Sequence, residues 1–62
     1  MIVPFVESVI GTAVYVNPEY VVMLRPDPES PDAISILKLS DGETLRVNGE
    51  HHDVAGKLSP SP

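Results

Sequence analysis

Hydrophobic residues along this chain follow the two-residue period of β-strands in most segments. The segments with this pattern are rich in β-branched and aromatic residues, and Gly, Pro, Asn or Asp residues bound them. The predicted strands are residues 3–9, 13–17, 20–25, 33–39 and 44–48. The pattern therefore predicts a mainly β protein, with about five strands in a small antiparallel sheet or barrel-like meander and a short C-terminal helix.

Turn residues separate the predicted strands. Gly11 follows the first strand, where a tight turn needs a residue that accepts positive φ. Asn17-Pro18 ends the second strand, and the prolines and acidic residues of 26–32 predict an irregular, exposed loop. Residues 50–58 are expected to form one or two helical turns, and 59–62 a disordered tail. The chain is thus predicted to be a single small β domain over residues 1–58.

The strongest local signal is Asp41-Gly42, which lies between the last two predicted strands. Asp-Gly is typical of a two-residue hairpin turn, and such a turn here pairs Leu37 with Arg46. This register divides the side chains between two faces: Ile34, Ile36, Leu45 and Val47 on one, and Leu37, Leu39, Thr44 and Arg46 on the other. Apolar residues then occupy both faces of this hairpin, and alternation places them on both faces of the first strand as well. This pattern predicts that a second copy or another protein covers one of the faces.

The length of the chain strengthens the prediction of a partner. A chain of 62 residues buries only about 60% of the surface that it exposes when unfolded. It contains no cysteine, so disulfides and thiolate zinc sites are excluded as sources of extra stability. We therefore expect a homo-oligomer, with a protein partner as a further possibility. Tyr15 and Tyr20 are either ordinary strand aromatics or part of the contact surface.

The charge of the chain disfavours nucleic acid and anionic membrane as partners. The chain has nine acidic and four basic residues, for a net charge of −5. A nucleic-acid binder needs several cations to neutralise phosphates. The basic residues do not cluster in the sequence: Arg25, Lys38, Arg46 and Lys57. The hairpin register above also predicts that Lys38 and Arg46 lie on opposite faces.

The start of the chain is apolar, but it has no basic segment and carries Pro4 and Glu7, which argues against a signal peptide. No apolar run approaches the roughly 20 residues of a membrane-spanning helix. We therefore expect a cytoplasmic protein that does not insert into membranes.

No set of residues predicts catalysis, a cofactor or a metal site. Glu50-His51-His52-Asp53 resembles a metal or acid–base cluster, but adjacent helical residues point about 100° apart and no other His or Cys is present. The acidic loop 27–32 lacks the ligand spacing and central glycine of a calcium loop. The Ser and Thr residues have no evident base, and no glycine-rich phosphate loop occurs. The chain is therefore predicted not to be an enzyme, and we assign it no site residues.

Residues 15–47, with the short helix after them, resemble the small flagellar-operon proteins of the FlbD type, also called swarming motility protein SwrD. The matching positions are Val16-Asn17, Val21-Val22, Pro31-Asp32 and Leu39-Ser40-Asp41-Gly42. The resemblance covers most of residues 11–58, and the chain departs from it at Ile10-Gly11, where the family tends to have Asn-Gly. It implies a small, non-enzymatic cytoplasmic protein linked to flagellar motor function.

The same stretch is similar to the second half of the LytTR DNA-binding domain, through Val16-Asn17 and the hairpin at Asp41-Gly42. Asn48-Gly49 stands where that family commonly has a Ser-Arg pair, which argues against DNA contact. Our leading hypothesis is a self-associating, non-enzymatic interaction or adaptor protein related to flagellar motility. The alternatives are a nucleic-acid-binding regulator with a LytTR-like β fold and a small-ligand-binding oligomer.

Overall fold

The computed structural model describes residues 2–59 and confirms a mainly β fold with five strands and a short C-terminal helix. The strands form two antiparallel sheets, β1-β2 and β3-β4-β5, and a 3-10 turn at Pro18–Tyr20 joins them. The bounds of the elements are β1 Val3–Val6, β2 Ala13–Val16, β3 Val21–Pro26, β4 Ile34–Leu39, β5 Thr44–Asn48 and α1 His51–Leu58.

In the part of the chain that the structure describes, one isolated bridge joins the two sheets. Glu7, just after β1, pairs with Val47 of β5, and the Ser8 N–H donates to the Arg46 carbonyl at 2.8 Å. The end of the first hairpin therefore lies beside β5. Within residues 2–59, β2 pairs only with β1 and β3 only with β4, so these two are the outer strands.

The first strand is shorter than the predicted 3–9, because the chain turns directly after Glu7. The Glu7 N–H donates to the Thr12 carbonyl at 2.8 Å, and the Gly11 N–H donates back to the Glu7 carbonyl at 2.9 Å. Within this turn Val9 has a φ of 75°, a conformation that β-branched residues rarely adopt. Val9 and Ile10 thus lie at an exposed hairpin tip, and the predicted alternation holds inward only for Val3 and Phe5.

The β4–β5 hairpin has a three-residue loop, Ser40–Gly42, where the sequence predicted a two-residue turn. The Gly42 N–H donates to the Leu39 carbonyl at 3.0 Å, and the Leu39 N–H donates to the Glu43 carbonyl at 2.8 Å. Gly42 has a φ of 91°. A turn closed by a left-handed glycine is the usual geometry of three-residue hairpin loops, and it requires the glycine.

The longer loop shifts the register of β5 by one residue, so the predicted division of side chains between faces is wrong. Leu37 pairs with Leu45, and Ile36 pairs with Arg46. Since side chains alternate along a strand, a shift of one residue moves every side chain of β5 to the opposite face. Leu45 and Val47 therefore join Leu37 on the inner face.

The core lies between the inner faces of the strands and the helix. Its buried hydrophobic members are Val3, Phe5, Val16, Leu37, Val47 and Val54. Helix α1 packs against β3 and β4 and contributes Val54 to this core. Gly49 precedes the helix with a φ of 133°, and a Cβ there would lie 3.0 Å from Val54 Cγ2, so the close approach of the helix requires glycine.

The predicted helix is present at His51–Leu58, and both of its ends are capped. The Glu50 carboxylate accepts the N–H groups of His52 and Asp53 at 2.8 and 3.3 Å, which satisfies donors that have no partner within the helix. The Ser59 N–H donates to the Ala55 carbonyl at 2.9 Å. The rest of the predicted tail, residues 60–62, lies outside the described residues. No helix in residues 2–59 is long and apolar enough to cross a membrane.

The observed register predicts that the two neighbouring residues Leu37 and Ile36 differ sharply in their contribution to stability. Leu37→Ala should lower the free energy of unfolding by about 2–5 kcal/mol, because it leaves a cavity in the core. Ile36→Ala, on the half-buried outer face, should cost roughly half of that or less. Urea denaturation followed by circular dichroism measures both, and an equal or larger loss for Ile36→Ala would contradict the register.

Candidate functional site

The outer face of the β1–β2 hairpin is apolar throughout. It consists of Ile2, Pro4, Val6, Ala13 and Tyr15, which we call the apolar hairpin face. Pro4 pairs with Tyr15 and Val6 pairs with Ala13 across the two strands. Ile2 and Tyr15 are 66% and 68% exposed. A sheet face that contacts water normally carries a polar residue at every second position, so this face has the composition of a contact surface.

The turn that joins the two strands also exposes apolar side chains. Val9 is 92% exposed and Ile10 is 68% exposed at the hairpin tip. Scattered single apolar residues are normal on protein surfaces, whereas large contiguous apolar patches are typical of interaction sites. The sequence predicted apolar residues on both faces of the first strand and of the β4–β5 hairpin, and the exposed apolar face lies on the first hairpin.

The outer face of the three-stranded sheet is basic. Arg25, Ile36 and Arg46 form one row across the three strands, and Met23, Lys38 and Thr44 form the next. We call these six residues the basic sheet face. The prediction that Lys38 and Arg46 lie on opposite faces is wrong, because it rested on the two-residue turn. Three of the four Lys and Arg residues of the chain share this face.

A small pocket of about 120 Å³ lies in the basic sheet face. Met23, Ile36 and Thr44 line it together with Arg25 and Lys38. Within residues 2–59 neither Arg25 nor Lys38 forms an ion pair, whereas Arg46 is bound to Asp27. The pocket therefore combines two unneutralised cations with an apolar floor, an arrangement that suits an anionic group attached to an apolar one.

Asp27 holds the acidic loop against the basic sheet face. Its side chain is almost fully buried, accepts the Glu29 N–H at 2.8 Å and binds the Arg46 guanidinium. The pKa of Asp27 is lowered: the Glu29 hydrogen bond lowers it most, burial opposes this, and Arg46 lowers it further. The Asp27 carboxylate thus binds both the loop backbone, at Glu29, and the Arg46 side chain.

Three of the four residues in the Glu50-His51-His52-Asp53 cluster converge at the start of α1. One donor atom each from Glu50, His51 and His52 lies within 4.8 Å of the others, and Asp53 does not join them. His52 Nδ1 lies 2.7 Å from Glu50 Oε2. Burial raises the pKa of Glu50, but hydrogen bonds from His52 and Asp53 outweigh it and leave the pKa lowered. The Glu50 carboxylate thus caps the helix and contacts His52 at the same time.

The two tyrosines lie on different surfaces. Tyr15 belongs to the apolar hairpin face, whereas Tyr20 ends the 3-10 turn before β3 and is 61% exposed. Neither side chain packs in the core. Of the two roles that the sequence left open, a place on a contact surface suits Tyr15 better, because its cross-strand neighbour is also apolar and exposed.

No protein-family model, curated protein or solved structure matches this chain. The resemblances to FlbD-type proteins and to the LytTR domain therefore stay predictions. The two candidate surfaces are therefore inferred from geometry: the apolar hairpin face lies on the β1-β2 sheet, and the basic sheet face lies on the β3-β4-β5 sheet.

The lowered pKa of Asp27 predicts a specific loss of stability in acid. A carboxylate whose pKa is lower in the folded state contributes stability above its unfolded pKa, and this contribution disappears as the pH falls through the folded pKa. Asp27→Asn should therefore be less stable than the wild type at pH 7 and should lose less stability on acidification below the usual aspartate pKa of 3.8.

Urea unfolding at neutral and acidic pH measures this difference. Asp32→Asn is the matched control, because Asp32 is exposed in the same loop and its side chain accepts no hydrogen bond within the described residues. If the control and Asp27→Asn show the same pH dependence, the buried Asp27 carboxylate does not act as described.

Proposed function

We propose that this protein is a non-catalytic interaction module that self-associates through the apolar hairpin face. The observation that carries the proposal is the absence of any charged side chain on that face, although it is the outer surface of an exposed hairpin. Burial of apolar area contributes roughly 25 cal/mol per Å². Contact between two such faces removes apolar surface from water and desolvates no charge.

Self-association also suits the size and charge of the chain. A domain of this length is marginally stable alone, and a second copy adds buried area. Two copies each carry a net charge of −5 and repel one another, but exposed charges separated by more than about 8 Å are largely screened at physiological ionic strength. The apolar hairpin face is where two copies approach without placing like charges together.

A two-fold dimer is the simplest arrangement, since it brings the same face of each copy together. Tyr15 is the expected anchor of this contact, because it is the largest side chain of the face and Tyr is enriched at the centres of interfaces. The resemblance to FlbD-type proteins supports a cytoplasmic setting related to flagellar motility, which we propose as the biological context.

Nucleic-acid binding is the second candidate, and the shared face of Arg25, Lys38 and Arg46 favours it. Specific DNA binding draws on several phosphate contacts, each made by a cation. Arg46 is already neutralised by Asp27, so among the described residues this face keeps two cations without an ion-pair partner. A self-associating interaction module therefore accounts for more of the exposed surface than nucleic-acid binding does.

Tyr15→Lys should shift the protein towards the monomer in sedimentation equilibrium. Placing an ammonium group in the contact should weaken self-association by at least about tenfold, or 1.4 kcal/mol. Tyr20→Lys is the matched control: it makes the same chemical change at a tyrosine of similar exposure outside the apolar hairpin face, and it should leave self-association unchanged.

Two results would count against the proposal. One is a wild-type protein that remains monomeric at tens of micromolar. The other is self-association that Tyr20→Lys disrupts and Tyr15→Lys does not. Circular dichroism of both variants checks that the lysine has not unfolded the chain.

A further inference from the structure

We propose that the free edge of β3 binds an extended segment of a partner protein in which acidic side chains alternate with apolar ones. This site is distinct from the apolar hairpin face, since β2 and β3 are the two outer strands. A strand that adds to an exposed sheet edge gains backbone hydrogen bonds from that edge. The side chains on the two faces of the edge then decide which sequence binds.

The inner face of the β3 edge borders a shallow, mainly apolar groove of about 320 Å³ between the strand and α1. Val22 of β3 and Pro18 of the preceding 3-10 turn line one side of it, and Ala55 and Leu58 of α1 line the other. Val22 is 62% exposed, so its side chain is free to contact a ligand. We call this recess the β3 edge groove.

The outer face of the same edge carries the pocket of the basic sheet face. Met23 lines both this pocket and the β3 edge groove, so the two recesses adjoin along one stretch of β3. The two cations of the pocket, Arg25 and Lys38, have no ion-pair partner within residues 2–59. One side of the edge is thus apolar and the other side is positively charged.

This division matches the alternation of an added strand. Successive side chains of a strand point to opposite faces, so every second side chain of the ligand enters the β3 edge groove. The side chains between them lie over the basic sheet face, where carboxylates meet Arg25 and Lys38. A register shift between Val21 and Met23 and the absence of an N–H at Pro26 bound the usable edge, so the bound segment is short.

The occupant is a different protein and not a second copy of this chain. Pro28 and Pro31 interrupt the acidic residues of the loop 27–32, and prolines lack the N–H groups that an added strand requires. A nucleic-acid backbone has no apolar side chains for the β3 edge groove. An acidic, apolar strand satisfies both faces, and charge complementarity suppresses basic competitors.

The test uses a short end-capped peptide of alternating glutamate and valine, titrated into the ¹⁵N-labelled full chain. We expect saturable chemical-shift changes at Met23, Arg25 and Ala55, and no binding of a peptide with lysine in place of glutamate. Lys38→Glu should weaken binding by at least about fivefold, because it replaces an attractive pair with a repulsive one. Lys57→Glu makes the same change in net charge on α1 and should alter the affinity by less than about twofold.

The variant Ala55→Arg distinguishes the contribution of the β3 edge groove to binding from that of the positive charge. It adds a positive charge, which favours the acidic peptide, but fills the β3 edge groove, so a loss of binding reports the apolar contact. Binding should persist in Tyr15→Lys, and this result distinguishes the present inference from the proposed self-association. Four results would each overturn the inference. They are the absence of saturable shifts, shifts confined to β1 and β2, equal binding of the lysine peptide, and tighter binding of a short DNA duplex to this face.

Discussion

The conformation of Gly42 is the constraint on which the rest of the structure depends. Its left-handed backbone closes a three-residue loop, and the loop sets the register between β4 and β5. A two-residue turn would move every side chain of β5 to the opposite face. Val47 would then leave the core, and Arg46 would enter it without a partner for its charge. The burial of Val47 and Leu37 and the loop geometry therefore support one another.

The same register distributes the charges of the surface. Because Arg46 points outward beside Ile36, it reaches Asp27 and holds the acidic loop against the sheet. Arg25 and Lys38 remain without ion-pair partners in the described residues, and they give an acidic protein one basic face. The apolar hairpin face lies instead on the other sheet. Each sheet thus exposes a face of different chemistry, and this division is the basis on which we propose an interaction module.

Much of the fold was predictable because it is encoded locally. The runs of β-branched residues, the Asn17-Pro18 turn and the proline-rich loop each specify their own backbone, and the structure places five strands and the helix where these signals occur. The end of β1 was not predictable from alternation, because the apolar pattern continues through Val9 and Ile10 into the exposed turn. Asp41-Gly42 is compatible with loops of two and of three residues, so the choice between them lay outside the local signal.

Of the two candidate surfaces, one could be predicted from the sequence and the other could not. The apolar hairpin face was readable from the alternation of residues 2, 4 and 6, where no polar residue occurs. The basic sheet face was not, because its cations come from three strands and meet only in the correct register. Sequence alone determined the strands, the turns, the net charge and the absence of disulfides, since these depend on neighbouring residues or on composition. Only the tertiary structure decided which side chains share a face, because that depends on pairing between residues far apart in the chain.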